Sequence, residues 1–156
     1  MKLLLIYNGK TAQSWLQKAL EDYTGRLGHY IKTDAIVIPE VKSTKGLSAA
    51  LQMEREAEQM LKLIQAGDYV VLLDEHGKEK RSVELAGWLG RQMQQAKRLV
   101  FVVGGPYGFS PRMKEKASEL MSLSKLTFSH QMVRLLLVEQ LYRACTILKG
   151  EPYHHE

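Results

Sequence analysis

The chain alternates short apolar runs with longer stretches whose apolar residues recur every three or four positions. That alternation predicts strands interleaved with amphipathic helices. Residues 3–7 form a first strand, closed by the turn pair Asn8-Gly9. A helix follows with Thr11 as its cap and Trp15, Leu16, Ala19, Leu20 and Tyr23 at helical spacing; Gly25 and Gly28 end it. Trp15, and later Trp88, fall among apolar neighbours at that spacing, which predicts two core residues. Residues 35–38 make a second strand stopped by Pro39, and Lys42-Ser43-Thr44-Lys45-Gly46 is a polar, basic loop. A long amphipathic helix over residues 48–65 ends at Gly67.

Residues 69–73 are a third strand, with Asp74-Glu75-His76-Gly77-Lys78 leaving its C-terminal end. Ser82 opens a helix through Met93, and residues 99–103 are a fourth strand. Its five uninterrupted apolar residues predict burial on both faces, as in a parallel sheet covered by helices. Gly104-Gly105-Pro106-Tyr107-Gly108 stops this strand, Ser110 suits a helix cap, and Pro111 suits the first helical position. That helix runs to about residue 121. Residues 123–128 are a short last strand or extended segment, residues 130–148 a final helix, and residues 150–156 a tail. With no repeat or linker, the pattern predicts one α/β domain over residues 1–156, a largely parallel sheet with helices on both faces.

The final helix carries Val133, Leu136, Leu137, Leu141, Ala144 and Leu148 on one face, with Leu135, Val138, Tyr142 and Cys145 largely off it. A helix apolar nearly all round must be buried all round. One face on the sheet and the other on a second subunit predicts a homodimer; the alternative is a helix sandwiched inside the monomer.

Composition narrows the class. A chain of 156 residues with 45% hydrophobic and 25% charged residues is ordinary for a globular protein. Cys145 is its only cysteine, which precludes an internal disulfide and fits a reducing cytosol. No apolar run approaches the ~20 residues of a membrane span, so a soluble, cytoplasmic protein without membrane contact is expected. The formal charge of +5 favours an acidic partner such as nucleic acid.

A buried strand, a glycine turn and a helix start form the junction where open α/β sheets bind ligands. The turn does not fit G-x-G-x-x-G, and no Walker A motif occurs. Such a turn suits a ligand gripped by main-chain groups, which glycines let approach closely. None of the five histidines has zinc-site spacing, so no metal is expected. Tyr153-His154 pairs an aromatic ring with a titratable group, suited to stacking a base and moving a proton, although terminal residues often fray. Arg143 is spaced to pair with Glu139. Lys42, Lys45, Lys78, Lys80 and Arg81 are phosphate contacts or solvated charges, and Cys145 reads as packing.

Several stretches together resemble one family: Val102-Val103-Gly104-Gly105-Pro106-Tyr107-Gly108-Phe109-Ser110-Pro111, Leu123-Ser124-Lys125-Leu126-Thr127-Phe128-Ser129-His130, Val133-Arg134, Glu139-Gln140-Leu141-Tyr142-Arg143-Ala144 and Pro152-Tyr153-His154. In that order they resemble the RlmH (YbeA) family of SPOUT-class methyltransferases over essentially the whole chain. The resemblance implies a SPOUT-type α/β fold with a C-terminal trefoil knot, S-adenosylmethionine as methyl donor, and a homodimer whose sites are each completed by the other subunit. It implies methylation of N3 of a pseudouridine in large-subunit (23S) ribosomal RNA, with the assembled ribosome as substrate. The donor would rest on Leu73, on Gly104 and on Leu123, Ser124, Lys125, Leu126, Thr127 and Phe128. Arg143, Tyr153 and His154 would act on the RNA: Arg143 on phosphate or a developing anion, Tyr153 positioning the base, His154 accepting or relaying the proton. The family's pattern ends Tyr-His-Arg-Glu, and here His155 replaces the arginine. A transfer-RNA methyltransferase of the same class and a nucleotide-binding oxidoreductase fit less well, lacking an added RNA-binding domain and a dinucleotide fingerprint. A non-catalytic ribosome-binding factor would differ in consuming no donor.

Overall fold

The computed structural model describes residues 1–41 and 46–156, so Lys42, Ser43, Thr44 and Lys45 of the expected basic loop lie outside the described residues. The elements are β1 (Lys2–Asn8), α1 (Ser14–Gly28), β2 (Lys32–Ile38), α2 (Ala49–Leu63), β3 (Tyr69–Glu79), α3 (Ser82–Gln95), β4 (Arg98–Val103), α4 (Pro111–Lys116), β5 (Glu119–Ser122) and α5 (Met132–Lys149). The strands lie in the order β2-β1-β4-β3-β5, and every pair is parallel. Side chains alternate across the sheet, because successive strand residues point to opposite faces. Leu3, Leu5, Tyr7, Val71, Leu99, Phe101 and Val103 share one core with α1, α3 and α5. Leu4, Ile6, Val70, Leu72, Val100 and Val102 share the other with α2 and α4. The expected parallel sheet with helices on both faces is what forms.

Helix α5 packs between α1 and α3. Its off-face residues Val138 and Cys145 are therefore buried within the chain, by neighbouring helices. The sandwiched alternative thus accounts for half of the apolar girdle. Leu135, Leu136 and Tyr142 stay half-buried on the outward side.

Four sequence expectations are corrected. The helix after Pro111 ends at Lys116, and the last strand is Glu119–Ser122, ahead of residues 123–128. Ser118 makes the switch: its N–H donates to Val70 O at 2.8 Å, and its Oγ accepts from Val70 N–H at 3.0 Å, seizing the sheet edge. Strand β3 does not end at Leu73; the chain bulges over residues 74–77 and rejoins β5 at Lys78 and Glu79. Thr11 does not cap α1, whose N-cap is Gln13 without a side-chain bond, and Gly25 lies inside the helix. Trp15 is 57% exposed, because α1 turns it away from the sheet; Trp88 is buried as expected.

Thr11 is occupied elsewhere, by a wholly buried arginine on α5. Arg134 Nη2 donates to Asn8 O at 2.7 Å, and Nη1 to Gly9 O at 2.8 Å and Thr11 Oγ1 at 3.1 Å. Its Nε donates to His130 O at 3.1 Å, and its guanidinium lies 5.1 Å from the Tyr7 ring centroid. Gln131 adds bonds to Lys10 O and Ala12 N–H. After β5 the chain therefore runs across the ends of β3 and β4 to be fastened at the end of β1.

Four outcomes follow from this packing. A Cβ at Gly77 would stand 2.5 Å from Met121 N and 2.6 Å from Leu120 C, both backbone atoms. Gly77→Ala should cost about 1–3 kcal/mol in denaturant titration. Gly25→Ala, in a helix with open space around it, should gain about 0.5–1 kcal/mol. Arg134→Met strands two buried carbonyls and a half-buried one and should cost about 3–5 kcal/mol, a melting temperature lower by roughly 6–20 °C. Burial pushes the Cys145 thiol up to about 11 from 9.0. The unfolded chain then ionises first, so this residue's stabilisation is complete below about pH 9 and fades between 9 and 11. Alkylation at pH 8 should be slow in the native protein and fast in denaturant.

Candidate functional site

A cleft of about 380 Å³ opens beside the bulge in β3 and at the C-terminal ends of β4 and β5, a size suited to a small organic ligand. Three segments wall it. The bulge within β3 contributes Leu73, Asp74, Glu75 and His76; the end of β4 and the loop after it contribute Val103 to Phe109; and the segment 123–131 that crosses the strand ends contributes Leu123, Ser124, Leu126, Thr127, Phe128 and His130. Topologically this is the predicted junction beyond the carboxyl ends of parallel strands.

The glycine loop is shaped from behind as well as from the cleft. A Cβ on Gly104 would lie 3.1 Å from the Phe109 ring, and one on Gly105 would lie 2.6 Å from Asn8 Nδ2 and 3.3 Å from Glu56 Oε1. Asn8 and Glu56 are both buried, so the backbone of Gly105 rests on a polar floor. Gly108 N–H donates to Gly105 O at 3.1 Å, closing a turn that needs Gly108 at φ +79°. Ser110 then accepts from Met113 N–H at 3.3 Å, capping α4 as its sequence position predicts.

The crossing segment has no strand partner, and serine side chains hold its backbone instead. Ser122 Oγ donates to Ser124 O at 2.7 Å, Ser124 Oγ accepts from Leu126 N–H at 3.0 Å, and Ser129 Oγ accepts from Met132 N–H at 3.0 Å. These local bonds compete with strand pairing, which explains why an apolar-looking run forms a loop. They leave Leu126 72% exposed at the rim. One bond joins two walls: Thr127 Oγ1 donates to Glu75 Oε2 at 3.1 Å. Asp74 Oδ1 accepts from His76 N–H at 2.8 Å.

The tail is docked, not frayed. The Tyr153 ring stacks on Tyr142 at 4.7 Å, and its hydroxyl donates to Glu139 Oε1 at 3.0 Å. Arg143 Nη2 donates to the same carboxylate oxygen at 2.6 Å, its guanidinium lies over the Tyr153 ring, and Nη1 meets His154 Nδ1 at 3.2 Å. Tyr30 donates to Glu151 at 2.5 Å, and Arg81 pairs with Glu156 at 3.6 Å. Burial, then the bonds to Tyr23 and Glu139, push the Tyr153 phenol well above its ordinary range. Arg143 Nε is buried without a partner among the described residues.

The structure thus gathers Leu73, Gly104, Leu123, Ser124, Leu126, Thr127 and Phe128 around one cleft, while Lys125 does not line it. Arg143, Tyr153 and His154 form a second cluster on the outward side of α5. Val133 lines the cleft and Arg143 is ten residues further along the helix, about 15 Å of rise. Within one chain the two groups do not meet. Of the basic loop residues, Lys80 is held by Glu119. The sequence reading missed His76, Lys114 and His130 in the cleft, and no spacing signal marked them. It also missed the burial of Arg134, although that residue falls on the arc of Leu137, Val138 and Leu141.

Residues 1–154 match the sequence profile of a family described as "Predicted SPOUT methyltransferase". Three similar curated proteins are each named "Ribosomal RNA large subunit methyltransferase H". The one from Phocaeicola vulgatus is 56% identical, the one from Parabacteroides distasonis 55% and the one from Porphyromonas gingivalis 46%, each over the full length of both chains. With a match that runs nearly end to end and relatives about half identical over their full length, the chain belongs to the SPOUT methyltransferase family.

Proposed function

We propose that this protein is an S-adenosylmethionine-dependent methyltransferase. Its target is N3 of a pseudouridine in 23S ribosomal RNA of the assembled ribosome, and it works in the cytoplasm as a homodimer of single-domain subunits. The observation that carries this reading is the convergence of Leu73, Gly104 and the 123–128 segment on one cleft. The full-length likeness to proteins named for ribosomal RNA methylation supports it.

The cleft suits such a donor. Its apolar floor of Leu73, Val103, Met121 and Phe128 fits a purine ring, its backbone edges offer hydrogen bonds, and Asp74 and Glu75 complement a cation. When bound, S-adenosylmethionine supplies a methyl group already electrophilic on a sulfonium. The protein's work is then alignment, which removes the entropic cost of encounter. The glycine loop and the crossing segment hold the donor. Arg143 contacts RNA phosphate or steadies the developing anion, Tyr153 positions the base, and His154 accepts or relays its proton.

The 15 Å between the clusters supports a site shared between two subunits. Half-buried Met132, Leu135 and Leu136 leave an apolar strip on the outward side of α5, and Trp15 adds a large exposed ring. A second copy seated there would bring one tail to the other cleft. The path of residues 123–131 across the strand ends, fastened by Arg134, is in keeping with a trefoil knot.

Labelled donor incubated with ribosomes lacking the modification should place one methyl on that pseudouridine, read by nucleotide mapping; no transfer, or label elsewhere, defeats the reading. Gly105→Ala and Arg143→Ala should each be nearly inactive. Co-expressed, they should recover about a quarter of wild-type activity, because only mixed dimers hold one intact shared site. No recovery would place the whole site within a single chain.

A further inference from the structure

The cleft holds a titratable side chain to which no role has been given. We propose that His130 is the group that first takes the proton from the acceptor base, with the tail relaying it outward; this rests on the methyltransferase reading above. His130 lines the cleft and is half-buried, one residue before the N-cap of α5. It makes no side-chain hydrogen bond among the described residues, so both ring nitrogens are open to a ligand. Its backbone is fixed by the buried Arg134, whose Nε donates to the His130 carbonyl at 3.1 Å, and by the Ser129–Val133 bond at 3.1 Å. A base fixed to a rigid anchor beside a ligand cleft meets the geometric requirement for proton transfer.

The other titratable groups facing the cleft are committed or unsuited. Asp74 accepts from the His76 amide, and Glu75 accepts from Thr127. The His76 ring is 80% exposed at the rim and lies 3.6 Å from Glu75. Lys114 on α4 and Tyr107 on the glycine loop also line the cleft, an amine and a phenol in place of an imidazole. Arg134 on α5 is spent on the carbonyls of Asn8 and Gly9 and on Thr11, and Lys10 on the β1–α1 connection is exposed and does not line the cleft. His154 is bonded to Arg143 and lies with the tail.

In the reaction, the acceptor N–H bond breaks and its electron pair forms the bond to the methyl carbon. The proton goes to a ring nitrogen of His130, and from there to water through the tail. The pair of the broken carbon–sulfur bond stays on sulfur, which leaves as a neutral thioether.

The test compares His130→Gln, His130→Ala and His154→Ala as full-length dimers, beginning with donor affinity by calorimetry. His130→Gln should bind donor within threefold of wild type. Its turnover should fall by roughly 100-fold or more, with the acidic limb of the pH–rate profile flattened. Added imidazole should restore His130→Ala in part, while His154→Ala should keep the acidic limb. In the wild type, the His130 ring resonance should shift on adding donor alone. If His130→Gln keeps its turnover and its acidic limb, the proposal is overturned. It is equally overturned if donor affinity falls more than tenfold and imidazole rescues nothing, because His130 is then only structural. A wild type that transfers no methyl to ribosomes defeats the underlying reading and the proposal with it.

Discussion

A single buried guanidinium ties together the two ends of this fold. Arg134 has no carboxylate partner among the described residues. Its charge is met by three carbonyl dipoles, one hydroxyl and the face of Tyr7. Burying a cation this way is expensive, and burial holds the guanidinium below its ordinary pKa. The geometry offsets that cost. A planar fork with five N–H groups can bind carbonyls from β1, the following turn and the approach to α5 at once, which no lysine could do. The crossing segment is thereby stretched over the strand ends, and the cleft exists because it is.

Around that bolt, the two halves of the site are built by opposite means. The glycine loop is rigid because it lacks side chains: Phe109 and the Asn8–Glu56 floor press against its backbone. The crossing segment is rigid because its side chains turn inward to bond their own backbone. Among the described residues, the Glu75–Thr127 side-chain bond joins the β3 bulge to the crossing segment. The tail uses a third device, an aromatic and ionic stack in which Glu139 serves Arg143 and Tyr153 together.

Much of this was legible in the chain. The apolar runs of β1, β3 and β4 report burial on both faces directly, and Ser110-Pro111 marks a helix start whose cap bond forms as expected. The failures share a cause. Residues 119–122 and 123–128 have similar apolar content, and only the capture of Ser118 by Val70 decides which becomes a strand. Thr11 has the right type for a cap, but a residue 123 positions away claims its hydroxyl. Trp15 has the right spacing for the core, but α1 presents a different face. Arg134 was hidden because charge is ordinarily read as exposure, although its place on an apolar arc was visible. Of residues 123–128 only Lys125, an exposed lysine, does not line the cleft.

The acceptors of Arg134 lie 125 and 126 residues before it in the chain. During synthesis the sheet's first strands emerge early, yet the fastening that shapes the cleft waits for a residue near the C-terminus. Closing so long a loop is slow, and domains otherwise begin folding from the N-terminus as they are made. The strands can therefore form before the cleft does, and the cleft is finished only when a guanidinium far along the chain has reached back to β1.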